Sequence, residues 1–148
     1  MRVAAVILLD GKVVLVRHRA GSAVYHLLPG GGVDYRETLE AALVREITEE
    51  TGLVARVLRP LFVNDTIDPQ GPRHVINLTF VAEVIGGEIT ATPQDPRVEA
   101  VEIVEPRRLI DLDLRPPIAP ELVSAISQGL DVAPTRYLGS IFTTGNDR

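Results

Sequence analysis

Three glutamates, Glu46, Glu49 and Glu50, carry the strongest chemical signal in the chain. Their spacing is i, i+3 and i+4. At 100° per residue it places all three within an arc of roughly 100° on one helix face. Three like charges so close repel each other and weaken an isolated helix. A hard divalent cation held by carboxylate oxygens would offset that repulsion. The competing reading is a solvated acidic face, partly paired through Arg45. The residues ahead of the helix favour the cation. Pro29, Gly30, Gly31 and Gly32 let backbone groups approach a ligand closely. A helix N-terminus favours anions. Such a loop and helix suit a phosphate-bearing substrate held together with a metal.

The elements that must position these glutamates are legible in outline. Residues 37–51 (ETLEAALVREITEET) are good helix formers without Gly or Pro. Leu39, Ala42, Leu43 and Ile47 recur at helical spacing, and Gly52 supplies a stop. Two runs of branched apolar residues, 2–9 and 12–18, flank Asp10-Gly11 and predict a hairpin. Residues 20–36 read as a glycine-rich loop around a short run, His26 to Leu28. Beyond the helix, a strand is expected over 53–63, a polar loop over 64–73 and a long strand over 74–85. Gly86-Gly87 should turn the chain so that Glu88 to Thr90 pair back. A further strand is expected over 98–104, a short helix from Pro106 to Ile110, and a second helix over 120–128, stopped by Gly129. The sum is an α+β domain of mixed strands with one early and one late helix.

Composition narrows the classes. The chain has 148 residues, which fits a single domain over 1–148. Its core is expected over about 2–130. A tail, 131–148, carries Tyr137, Leu138, Ile141 and Phe142, apolar enough to cover the domain's own core or a homodimer interface. The net charge of −5 argues against a grip on a nucleic-acid polymer. It is compatible with a small phosphorylated substrate reached through metal. The absence of cysteine excludes a thiol nucleophile, a disulfide scaffold and a cysteine-ligated metal, and fits a cytoplasmic setting. No apolar run is long enough to span a bilayer, and no export signal is read at the N-terminus.

The stretch GGVDYRETLEAALVREITEETGL, Gly31 to Leu53, resembles the signature of the Nudix hydrolases, G-x5-E-x7-R-E-U-x-E-E-x-G-U with U aliphatic. Gly31, Glu37, Arg45-Glu46-Ile47, Glu49-Glu50 and Gly52-Leu53 fill all nine specified positions. A chance match at one start position has a probability on the order of 10⁻⁹ or less. Leu28-Pro29-Gly30-Gly31 is similar to the family's L-P-G-G entry into the box, and the order of strands is similar over residues 2 to about 130.

The resemblance implies an α/β/α sandwich around a mixed sheet. It implies hydrolysis of a nucleoside diphosphate linked to another moiety, with Mg²⁺ or else Mn²⁺ as cofactor and a small nucleotide-derived substrate as partner. By position, Glu46, Glu49, Glu50 and the carbonyl of Gly30 would be metal ligands. Gly31, Glu37, Arg45 and Gly52 would be structural. A further acid from a later strand often joins the site, and Glu99 matches best, with Glu102 second. The general base would be Glu49, Glu50 or Glu99. Arg17 and Arg19 share one strand face and would contact substrate phosphate, as would the loop residues Arg36 and Arg73. His18, His26 and His74 show no metal-ligand spacing and read as structural.

Some positions depart from the commonest family text. Tyr35-Arg36 stands where Pro-Gly is frequent, and His26 and Ile103 stand where tryptophans are common. Tyr25, Tyr35, Phe62 and Phe80 are then the aromatic candidates for contact with a base. Pro69 lies sixteen positions beyond Leu53, as a proline does in members acting on ADP-ribose. Residues 54–80 lack the tyrosine of members acting on dinucleoside polyphosphates. ADP-ribose or a nucleotide sugar therefore ranks ahead of a nucleoside triphosphate. The rival class is a sensor that binds a nucleotide without cleaving it. Such modules usually lose box glutamates, and this chain keeps all of them.

Overall fold

The structure is a computed structural model that describes residues 1–131 and 134–142. Strands β1 (Arg2–Val6), β2 (Leu8–Leu9) and β3 (Lys12–Ala20) are built largely from branched apolar side chains, which suit a pleated, half-buried surface. Asp10 and Gly11 take φ of 50° and 77°. That is the two-residue turn whose twist matches a hairpin, and Leu9 pairs with Lys12 across it. Strand β4 (Ala23–Leu27) pairs antiparallel with β3.

The glycine run read as loop is instead a short strand, β5 (Gly30–Gly32), antiparallel to β1. The correction has a steric cause. A Cβ at Gly30 would run into the Val3 carbonyl oxygen and lie 2.6 Å from the Ala4 Cα. The backbones approach this closely because no side chain intervenes. Helix α1 (Leu39–Thr51) begins two residues later than expected, because Thr38 is its N-cap and its hydroxyl accepts from the Ala41 N–H at 3.1 Å. Gly52 ends it in the left-handed conformation, φ 81°.

Strand β6 (Leu53–Ile67) runs four residues past the expected end, paired with β7 (His74–Gly87) as far as Ile67 opposite His74. Residues 88–90 do not pair back as a strand. Thr90 N–H donates to the Thr51 carbonyl at 2.8 Å, and Gln94 N–H to the Glu49 carbonyl at 2.9 Å. This segment therefore covers carbonyls left open at the end of α1. Strand β8 (Val98–Val104) joins β3, a 3-10 turn spans Pro106–Asp111, and α2 (Ala119–Ser127) carries Pro120 in its first turn. Strand β9 (Arg136–Ser140) lies parallel to β6. Leu138 and Ile141 pack on the core, so this much of the tail covers its own domain.

The sheets are β5-β1-β7-β6-β9 and β2-β3-β4, with β8 on the free side of β3. Alternation sorts their side chains into two layers. Val3, Ala5, Ile7 and Val14 meet Ala42, Leu43 and Ile47 of α1. Ala4, Val6, Val13 and Leu15 meet Leu109, Ile118 and Leu122 on the other side. The result is an α/β/α sandwich. Burial of Leu43 and Ile47 stabilises α1 by roughly 1.5–3 kcal/mol each. Repulsion between neighbouring carboxylates costs a few tenths of a kcal/mol per pair. Packing therefore holds the acidic helix in place. Among the described residues, no helix is long and apolar enough to cross a membrane.

Candidate active site

Arg45 organises the acidic face of α1. Its Nε and Nη2 form a fork on Glu37, at 2.8 and 2.9 Å. Its Nη1 donates to Glu46 at 2.8 Å and to Glu49 at 3.4 Å, and Nη2 also reaches the Gly32 carbonyl at 3.2 Å. One planar cation thus ties three carboxylates to the glycine strand, as a fork of five donors can. The Arg45 hydrogen bonds, aided by the Asp34 N–H, hold the Glu37 carboxyl at about 2. The same contacts push the Arg45 guanidinium above its ordinary value. Burial raises the Glu46 carboxyl; Arg45 opposes that shift, while the neighbouring charges of Glu50 and Glu49 add to it.

Two glycines bring the strand down onto the helix. The space that a Cβ would take at Gly31 is filled by the Glu46 carboxylate, with both oxygens 2.5 Å from that point. The Gly30 N–H donates to Glu50 Oε1 at 2.7 Å. Glu50 is only 1% exposed, a rare state for a glutamate. Its second oxygen stands 4.0 Å from His18 Nε2. That nitrogen is itself buried and has no hydrogen-bond partner.

Glu50, His18 and the glycine strand open onto a cavity of about 1060 Å³, which Glu46 and Glu49 do not line. Gly30, Gly31, Glu50 and His18 line one side of it. Tyr25, Arg115 and Pro116 line another, and residues 68–70 and Arg73 a third. The Arg115 guanidinium lies 4.0 Å from the centre of the Tyr25 ring, and His18 is tilted against the same ring at 5.5 Å.

Of the residues expected from sequence, the structure brings Glu46, Glu50, Gly30, Gly31 and Arg45 together, with Glu49 at the margin on Arg45. Arg73 lines the cavity. Arg17, Arg19, Arg36 and Glu99 do not. Side chains alternate along β3, so His18 and the arginines on either side of it point to opposite faces. Arg17 is committed to Glu99 at 2.9 Å and Glu102 at 2.6 Å, and Arg19 to Glu99 at 2.8 Å. Glu99 is thereby clamped between two guanidiniums, chiefly Arg19, which hold its carboxyl below the ordinary range. Arg36 sits in a left-handed turn, φ 68°. Of the aromatic candidates, Phe62 and Phe80 are in the core, Tyr35 is 93% exposed, and Tyr25 lines the cavity. Sequence reasoning missed Arg2, Arg97 and His18. The β3 alternation carried no separate signal for His18, because Val13 to Val16 are buried on both faces.

The donors suit a hard cation. Glu46, Glu49, Glu50 and the Gly30 carbonyl offer oxygen donors, the kind that Mg²⁺ and Mn²⁺ prefer. Among the described residues, no three acidic or histidine side chains converge tightly enough to chelate an ion as they stand. The raised Glu46 carboxyl and the buried Glu50 carboxylate are the groups that a cation would relieve.

Comparison with known proteins shows the family and the fold. A family model described as the NUDIX domain matches residues 1–126. An ADP-ribose pyrophosphatase of Methanocaldococcus jannaschii is 42% identical over 83 residues, 55% of this chain and 49% of that protein. An NAD-capped RNA hydrolase NudC of Salmonella agona is 36% identical over 104 residues, 69% of this chain and 35% of that one. The chain spans about half the length of the first relative and about a third of the second. Among solved structures, a UDP-X diphosphatase superposes with a TM-score of 0.70 at 26% identity, over 93% of this chain and 65% of that one. A NUDIX hydrolase from Nitrosomonas europaea superposes with a TM-score of 0.75 at 21% identity, over 91% and 95%, a likeness of fold alone. With the signature complete and the family model spanning most of its length, this chain belongs to the NUDIX domain family.

Proposed function

We propose that the chain is a divalent-metal-dependent pyrophosphohydrolase. Its substrate is a nucleoside diphosphate linked to a second moiety, with ADP-ribose or a nucleotide sugar ahead of a nucleoside triphosphate. The observation that carries the proposal is the buried Glu50 carboxylate, held under the Gly30 N–H on the wall of a cavity large enough for a nucleotide. The names of the relatives, an ADP-ribose pyrophosphatase and a UDP-X diphosphatase, support the choice of substrate class.

Glu46, Glu49 and Glu50 would hold the cation, with the Gly30 carbonyl as a further donor. When bound, the metal neutralises phosphate charge and lowers the pKa of water. The chain's own residues supply the rest. Arg45 fixes Glu46 and Glu49 against the glycine strand. The Gly30 N–H engages one oxygen of Glu50 and leaves the other facing His18 without a hydrogen bond. That free oxygen is the proton acceptor we favour for a water in the cavity. Glu99, the alternative, is occupied by Arg17 and Arg19. Tyr25, with Arg115 on its ring, lines the wall that the base or the second sugar would meet.

A hydrolysis panel with identified products tests this, with Mg²⁺ and with Mn²⁺. It spans ADP-ribose, nucleotide sugars, dinucleoside polyphosphates and nucleoside triphosphates. The expected result is one preferred diphosphate substrate, cleaved at the pyrophosphate bond and silenced by chelator. Glu50→Gln should cut turnover by about 10²-fold or more, in line with loss of an electrostatic or proton-transfer group. A folded, metal-binding protein that binds nucleotide and releases no product across the panel would establish the sensor instead.

A further inference from the structure

Four guanidinium groups line the cavity from segments outside the signature, and one of them, Arg115, is already stacked on Tyr25 and bound to Asp113. Of the other three, Arg2 comes from β1, Arg73 from the loop between β6 and β7, and Arg97 from the turn that leads into β8. Each is placed by a different device. Arg2 donates to the Leu28 carbonyl at 3.0 Å, two residues before Gly30, and so stands beside the strand that covers Glu50. Arg97 is held by a fork on Asp95, with Nε at 3.1 Å and Nη2 at 2.8 Å. The segment ahead of it is bound to the Glu49 carbonyl through Gln94. Among the described residues, the Arg73 side chain has no hydrogen-bond or ion-pair partner.

Arg2 lies within reach of the other two charges. Burial lowers the Arg2 guanidinium from its usual value, and the charges of Arg97 and Arg73 push the same way, against Glu50 and Glu46. Glu50 and Asp68 line the same cavity and Asp95 pairs Arg97, which leaves the donors of Arg73 for an entering anion. The guanidinium fork matches the oxygens of a phosphoryl group. The arginines expected to do this from sequence, Arg17 and Arg19, do not line the cavity.

We propose that Arg2, Arg73 and Arg97 form a clamp for the phosphoryl group that lies farther from the carboxylate helix, so that the cavity selects a diphosphate over a monophosphate even without metal. This rests on reading the cavity as a pyrophosphate site. The clamp accounts for how a chain of net charge −5 attracts a polyanion before any cation is bound. It also separates two tasks. The helix carboxylates handle one phosphoryl group through the cation, and the arginines fix the other.

Calorimetry on the chelator-treated full chain tests the clamp, with inorganic pyrophosphate, ADP and AMP as probes. Pyrophosphate and ADP should bind, and AMP should bind at least tenfold more weakly. Arg73→Ala and Arg97→Ala should each weaken pyrophosphate about tenfold or more, as loss of a charged hydrogen bond does. Arg97→Lys should recover part of the loss. Arg56→Ala, which removes the same charge from a surface pair with Glu83, should change little. Arg2→Lys replaces Arg2→Ala if loss of the Leu28 contact unfolds the chain, and thermal melts accompany every variant. Equal affinity for AMP and ADP, or unchanged binding in Arg73→Ala and Arg97→Ala at full folding, overturns the clamp. Clamp-dependent binding without turnover on the hydrolysis panel would leave the clamp standing and remove the hydrolase reading.

Discussion

Replacing Gly31 with alanine isolates one carboxylate. The backbone at Gly31 is outside the left-handed region, so alanine is conformationally acceptable there. The new methyl meets the Glu46 carboxyl group, with both oxygens 2.5 Å away. Ordinary contact begins near 3.4 Å, so Glu46 must retreat by roughly 1 Å, and its flexible end allows it to. The cost to stability is small. The gain from a stiffer unfolded chain, about 0.4–1 kcal/mol, offsets part of the weakened Glu46–Arg45 contact. A net loss of about 1 kcal/mol moves Tm by roughly 2–4 °C in a domain of this size. Function should fall much further, because a 1 Å misplacement in a catalytic constellation can cost about 10²-fold. The assay pairs turnover with Mn²⁺ titration followed by electron paramagnetic resonance, in a double-mutant cycle with Glu46→Ala. Gly31→Ala should weaken both readouts alone and add nothing in the Glu46→Ala background. Full activity in Gly31→Ala, or strict additivity in the cycle, would refute the idea that Gly31 exists to seat Glu46.

Three further outcomes follow from the same contacts. Glu37 is held at about 2 against an ordinary 4.5, so its contribution to stability is complete above about pH 4.5 and is lost as pH falls toward 2. Glu37→Gln should lower Tm at neutral pH, with the two melting curves converging as pH approaches 2. Arg36 occupies a left-handed turn, φ 68°. Arg36→Gly should stabilise the fold by about 0.5–1 kcal/mol, the left-handed strain relieved less the entropy of glycine, read by urea denaturation. Gly30→Ala should behave unlike Gly31→Ala. Its methyl would strike the Val3 backbone rather than a movable side chain, so urea denaturation should show a loss of about 1–3 kcal/mol, with β5 displaced from β1.

Local chemistry was legible, and strand context was not. The Asp10-Gly11 hairpin, the Gly52 stop and the acidic helix were readable because each depends on neighbours in sequence. Asn64, Asp65 and Thr66 look like loop residues, yet they continue β6 because β7 lies alongside to take their backbone hydrogen bonds. Asn64 and Asn77 are buried opposite one another, a polar pair that no propensity could anticipate. Gly30 to Gly32 looked like loop for the same reason: the partner strand that makes them a strand is 26 or more residues away. In the site, the helix period fixed Glu46, Glu49 and Glu50 correctly relative to one another. Arg17 and Arg19 were expected at the substrate because the alternation of β3 says which residues share a face, and not which face meets the cavity.

The cavity walls differ in how they are encoded. The carboxylates and the glycines over them lie in one continuous stretch, 30–53. Other parts of the wall come from separate places, among them β4, the 68–73 connection and the segment 115–117. Two of these are surface connections, where insertions and replacements are tolerated best. Inheritance of the chemistry and inheritance of the selectivity are therefore uncoupled. Under the proposed function, altering the connections alone would carry a lineage from one diphosphate ester to another. A directed library can do the same, with residues 68–73 and 115–117 randomised and the helix left untouched.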